Sequence, residues 1–138
     1  MRSTGRRRRR AHGSRARDSR GAGASGVRLM LRIDMKPEGR VGPGKIDLLE
    51  RIEKHGSIAA AARAMEMSYR RAWELVDGLG RCFGRPVVTA QMGGAGGGGA
   101  RLTPFGHVLV TQYRAIERKA RQAARQHLIR LRSRVRCT

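Results

Sequence analysis

Residues 56–79, GSIAAAARAMEMSYRRAWELVDGL, constrain the fold more tightly than any other stretch of this chain. Ser57 stands directly before an alanine-rich run, and Ser68 stands directly before a longer amphipathic one. A serine hydroxyl at such a place accepts from the N–H groups that the first turn of a helix leaves unpaired. The pattern therefore predicts helix, tight turn, helix. In the first helix Ile58, Ala61, Ala62 and Met65 share one face, and the small alanines let another helix approach closely. In the second, Ala72, Val76, Leu79 and Phe83 form the inner stripe, with Arg70, Glu74, Asp77 and Arg81 on the other side. Trp73, next to that inner stripe, is expected to be a packed anchor.

Tyr69, Arg70 and Arg71 crowd the first turn of the second helix. The positive end of the helix dipole and two guanidinium groups there attract phosphate, and arginine reads guanine through paired hydrogen bonds. This is the layout of a helix-turn-helix, whose recognition helix enters the major groove N-terminus first. The same residues also describe two ordinary packed helices with a solvated basic edge, so the rest of the chain has to decide.

Charge decides in favour of a polyanion. The 138 residues carry 31 Lys and Arg against 10 Asp and Glu, a net charge of +21. Residues 1–26 hold nine basic side chains and one acidic, residues 27–102 thirteen and eight, and residues 103–138 nine and one. The middle is thus mildly basic and globular, whereas both ends are cationic enough to be drawn to nucleic acid by counterion release. An aromatic fraction of 4% predicts a core of aliphatic and small residues.

In chain order, the arginine-, glycine- and serine-rich residues 1–26 are expected to be a disordered basic tail. Residues 27–34 alternate, with Val27, Leu29, Leu31 and Ile33 on one face, which predicts a half-buried strand paired with one further along. A turn-prone segment, 36–42, follows. Pro43 then opens a scaffold helix that Gly56 ends, with Ile46, Leu49 and Ile52 facing inward and Asp47–Arg51 and Glu50–Lys54 in the acid-first order. After the recognition helix, residues 87–92 and 100–102 predict two strands joined by the glycine run 93–99, a wing in which bare backbone at Gly96, Gly97, Gly98 and Gly99 passes close to phosphate and Arg101 supplies charge. Thr103 and Pro104 restart helix. Leu109, Tyr113, Ile116, Ala120, Ala123, His127 and Leu131 then run down a narrow seam of the kind that two helices bury against each other, most economically in a homodimer.

Chemistry of other kinds is not indicated. His12, His55, His107 and His127 show no metal-ligand spacing, and the carboxylates of the central region mostly have basic neighbours at helical spacing. No serine sits in a nucleophile elbow, and the glycine run has neither the Gly-Lys-Ser/Thr nor the strand–helix context of a nucleotide loop. The expectation is a non-enzyme with no cofactor and no metal. Cys82 and Cys137 lie far apart without a Cys-x-x-Cys spacing, and no signal-peptide or membrane-spanning stretch is evident, which together point to the cytoplasm and away from a membrane.

The blocks GPGKIDLL at 42–49, GSI at 56–58, SYRRAW at 68–73, the glycine-rich wing at 93–99 and LTPFG at 102–106 resemble the N-terminal DNA-binding domain of molybdate-responsive, ModE-type transcription regulators, which is related to the LysR-type winged helix. The resemblance spans residues 27–120. It implies a homodimer, joined through helices such as the one after Pro104, that binds an inverted repeat in double-stranded DNA and controls molybdate or oxyanion transport genes. Ser68, Tyr69, Arg70 and Arg71 would lie at the major groove and Gly96 to Arg101 at the wing. Full-length members carry a C-terminal oxyanion-binding module, whereas this chain stops at Thr138, so no direct molybdate binding is expected from it. Glu66 stands where the turn often has glycine, and Gly78 and Gly80 weaken the end of the recognition helix.

The sequence thus predicts a mainly α fold with a small β-sheet (α+β), a winged helix-turn-helix with a long C-terminal dimerisation helix. Residues 1–26 form the tail, 27–120 the DNA-binding domain and most of the long helix, and 121–138 the end of that helix and a basic tail. DNA-contacting positions are Ser57, Ser68, Tyr69, Arg70, Arg71, Glu74, Gly96, Gly97, Gly98, Gly99 and Arg101. Dimerising positions are Leu109, Tyr113, Ile116, Ala120 and Ala123. The rival expectations are a non-specific, architectural nucleic-acid binder and an adaptor that pairs with a separate sensor chain.

Overall fold

The computed structural model describes residues 26–91 and 98–136. The expected tail, apart from Gly26, lies outside these residues, as do Gly96 and Gly97 of the wing. Helix α1, Pro43–His55, starts on a proline whose fixed φ suits a first turn, and ends at Gly56, which takes the left-handed φ of 74° that closes a helix with its N–H on the Ile52 carbonyl. Ile46, Leu48, Leu49 and Ile52 are all buried, so this helix is enclosed on more than the single predicted stripe.

Helices α2, Ile58–Ala64, and α3, Tyr69–Phe83, form the predicted pair. Each serine caps as expected: Ser57 Oγ accepts from the Ala60 N–H and Ser68 Oγ from the Arg71 N–H, both at 3.0 Å. Between the helices Glu66 adopts φ 57°, a left-handed conformation that costs a non-glycine residue about 1–2 kcal/mol. Ala61 and Ala62 are buried against Ala72, Val76 and Leu79, so small side chains do bring the two helices close.

The wing is an antiparallel pair of β3, Val88–Gln91, and β4, Gly99–Leu102, with Thr89 opposite Arg101 and Ala90 opposite Ala100. Its outer edge is not left open. The Ala100 N–H donates to the Gly56 carbonyl at 2.7 Å, and the Leu102 N–H donates to Glu53 Oε2 at 2.8 Å, so the C-terminal end of α1 pairs with β4 as a further strand would. Gly99 belongs to this strand and not to the loop.

Helix α4, Pro104–Arg132, is 29 residues long, about 44 Å at the usual rise. Thr103 caps it by accepting from the Gly106 N–H, while its own hydroxyl donates to the Pro86 carbonyl. The start of α4 is pressed so closely against the chain entering the wing that a Cβ on Gly106 would sit 2.2 Å from the Val87 carbonyl oxygen.

Upstream of α1 the burial of residues 27–34 alternates as predicted, but only Ile33–Asp34 (β1) make ladder bonds. Their partner, Arg40–Val41 (β2), lies inside the segment read as a turn. A short turn folds the chain back so soon that just two residues on each side can pair. What holds the rest of the extended segment is α4. The Tyr113 hydroxyl donates to the Leu31 carbonyl at 2.7 Å, and just past the end of α4 Val135 Cγ1 comes within 3.3 Å of where a Cβ at Gly26 would lie. Tyr113, expected in a dimer seam, is therefore in the core of its own domain, where helical periodicity alone could not place it.

Helices α1 and α4 are also joined by charge. Arg114 donates to Asp47 at 2.5 Å, to Glu50 through Nε at 2.8 Å, and to Glu117 at 3.1 Å; Arg121 pairs with the same Glu117. Asp47 and Glu50, expected to serve i,i+4 pairs within α1, thus reach across to another helix. Burial disfavours the charge on Arg114, but the hydrogen bonds it donates to Glu50 and Asp47 outweigh this and raise its pKa.

Candidate nucleic-acid interface

The exposed part of α3 is built around the Ser68 cap. Because Ser68 satisfies the Arg71 N–H, the first turn stays wound up to its end, and Tyr69, Arg70 and Arg71 project into solvent while Ala72 turns into the core. Residues 69, 70, 73, 74 and 77 recur at one, three, one and three positions, so at about 100° per residue they share one arc of the helix. Within it, Arg70 Nε lies 3.1 Å from Glu74 Oε1, and Asp77 pairs with Arg81 at 3.1 Å. Glu74, predicted as a contact in its own right, is thus paired with Arg70 on the exposed face.

Trp73 reverses the expectation made for it. It is 49% exposed, beside Tyr69 at 57%, so the indole is not a packed anchor. Trp73 follows the buried Ala72 directly and precedes the buried Val76, at the boundary between the inner and outer faces. The packing of α2 and α1 behind α3 put that boundary on the near side of the ring.

Arg71 lies near enough to Lys45 on α1 for their like charges to interact. Lys45 Nζ donates to the Arg40 carbonyl at 2.8 Å. Partial burial first, and then the nearby charges of Arg40 and Arg71, lower the pKa of Lys45. Arg40, Lys45 and Arg71 thus make a basic patch from three separate elements, which the sequence reading did not find because the first two lie about thirty positions upstream of the third.

At the wing, Arg101 and Thr89 face outward together from neighbouring strands, and Gly98 is exposed. A shallow groove beside β4 is lined by Thr89, Arg101, Leu102, Thr103, Pro104 and His107, with His107 Nε2 3.6 Å from Glu53 Oε1. Ser57 is half-buried and occupied as a cap. Along α4, Leu109 packs on the core, Ala120 is half-buried, and Ile116 and Ala123 are exposed, followed by an exposed Leu131. Among the described residues no group of His, Cys, Asp or Glu is arranged to hold a metal, and no helix is long and apolar enough to cross a membrane.

No protein-family model matches the chain. It is 47% identical over 78 residues to the molybdenum-pterin-binding protein MopB of Rhodobacter capsulatus, covering 56% of this chain and 29% of that protein. It is 30% identical over 95 residues to the transcriptional regulator ModE of Haemophilus influenzae, covering 69% and 37%, and 32% identical over 85 residues to the DNA-binding transcriptional dual regulator ModE of Escherichia coli K12, covering 62% and 32%. The chain thus spans about a third of the length of the curated relatives it matches. In three dimensions it is similar to a chain of the crystal structure of the CbnR_DBD–DNA complex, with a TM-score of 0.51 at 19% identity, over 64% of this chain and 97% of that one. That likeness shows a shared winged helix-turn-helix fold.

Proposed function

We propose, from the premise that this chain carries a ModE-type, LysR-like winged helix-turn-helix domain, that it is a sequence-specific DNA-binding regulator of transcription. The observation that carries the reading is the exposed first turn of α3, where Ser68 holds the helix wound and Glu74 pairs with the exposed Arg70. A guanidinium so placed is suited to the paired acceptors of guanine in the major groove. Arg71, Lys45 and Arg40 contact phosphate as one basic patch, and Gly98 and Arg101 contact it at the wing.

Residues 27–120 are the DNA-binding unit, and the cationic ends add affinity without adding sequence information. Ile116, Ala120 and Ala123, with Leu109 at the root, supply a homodimer seam, so the operator is an inverted repeat. Genes for molybdate or oxyanion transport are the targets suggested by the relatives. The reading gives this chain no enzymatic role and no molybdate site, and places it in the cytoplasm with the DNA.

Selection of bound duplexes from a randomised pool, at near-physiological salt with competitor DNA, tests the proposal. An enriched inverted repeat is expected, and Arg70→Ala is expected to flatten its preference by about 1–3 kcal/mol at one position of each half-site. No enriched sequence, with binding that collapses as salt rises, overturns the reading in favour of a non-specific binder.

A further inference from the structure

We infer that Trp73, with Tyr69 one turn before it, is an apolar reading surface for thymine C5-methyl groups in the major groove. This inference rests on the DNA-binding reading above and deepens it by naming a second kind of base contact.

The sequence has one Trp, two Tyr and two Phe, and the two Phe rings pack edge to face at 5.2 Å. Tyr113 is buried. The remaining two aromatic side chains are both set on the outer arc of α3, four residues apart, where side chains one turn distant touch. Leaving about half of each of two large side chains in water forgoes burial that a core built mainly of aliphatic residues would reward.

The polar members of the arc already have partners, Arg70 with Glu74 and Asp77 with Arg81. The rings are the part of this face that calls for an apolar counterpart. The Arg70 guanidinium stands beside them in the arc, and the sequence carries a net charge of +21, so the counterpart belongs to a polyanion. On the base edges in the major groove of duplex DNA, the apolar group is the thymine methyl. A ring beside Arg70 would meet it at a base pair next to the guanine that Arg70 reads, which couples the two contacts along one strand.

Trp73 is the sole tryptophan, so its fluorescence reports this surface alone. The experiment uses the full chain and the duplexes it enriches from a randomised pool, remade with uracil in place of each thymine in turn. One or more replacements are expected to weaken binding about fourfold per methyl removed, and the natural duplex is expected to change Trp73 emission more than the uracil duplex does. In Trp73→Ala, checked for native helicity by circular dichroism, the same replacements are expected to have no effect. If that variant does not fold, the emission comparison on the unmutated chain decides alone. Enrichment of a site at which no uracil replacement weakens binding, or at which it weakens Trp73→Ala equally, overturns this inference and leaves the regulator reading standing. A pool with no enriched sequence overturns both.

Discussion

The Tyr113 hydroxyl donates a 2.7 Å hydrogen bond to the Leu31 carbonyl across 82 residues of sequence, fastening the extended N-terminal segment to the middle of the long helix. Removing the hydroxyl leaves a carbonyl that the ladder does not use, so Tyr113→Phe is expected to cost about 1 kcal/mol in urea denaturation. Burial, and then the charge of Glu117, raise the pKa of this phenol above its usual 10.0. The unfolded chain therefore loses its proton first as pH rises. The stabilisation is complete below pH 10.0 and is lost as pH climbs from there through the folded-state value. As pH rises above 10.0, wild type should lose more stability than Tyr113→Phe. Equal losses would show that the phenol has no part in the alkaline transition.

Arg114 draws together Asp47, Glu50 and Glu117, the last of which is the sole acid in residues 103–138. Arg114→Met should leave three carboxylates facing one another without the cation that joins them, and lower stability by about 2–4 kcal/mol. Glu117→Gln, which removes one of three acids and keeps the shape, should cost less. The order of the two urea midpoints checks the assignment, and a milder effect for Arg114→Met would refute it.

Two glycines should respond in opposite directions to the same substitution. Gly78 lies within α3 with open space where a Cβ would go, so Gly78→Ala should stabilise by about 0.5–1 kcal/mol through helix propensity. Gly106 is also helical, but a Cβ there meets the Val87 carbonyl oxygen at 2.2 Å, and backbone has to move. Gly106→Ala should therefore lower the melting temperature while Gly78→Ala raises it.

The basic patch makes a prediction about salt. Lys45→Gln and Arg71→Gln should each weaken binding to all sequences alike and reduce the slope of log affinity against log salt by about one. Fluorescence anisotropy with an enriched and a scrambled duplex measures both quantities. A loss confined to the enriched duplex would move these residues from phosphate to base contact.

The local rules of helix ends made much of this fold legible before any coordinates. Ser57, Ser68, Thr103 and Pro104, Pro43 and Gly56 each do the job expected of them, because a cap depends on residues within a turn of itself. The wing was legible for a related reason, since two β-prone runs flanking a glycine loop have few ways to pair. Arg70 was also within reach, as its place in the first turn follows from the cap before it.

Tertiary structure decided the residues at the edges of stripes and the partners of distant charges. Periodicity says which side chains share a face, but not how far a neighbouring helix covers it. Trp73, beside the inner stripe, consequently stayed outside, and Tyr113, aligned with a seam, went inside. Arg114 found Glu50 and Asp47 at separations of 64 and 67 residues, and Arg71 joined Lys45 and Arg40, in each case because packing and not sequence spacing sets the distance between charges. Sequence alone determined where each helix begins and where α1 ends; only the assembled domain determined which faces remained exposed.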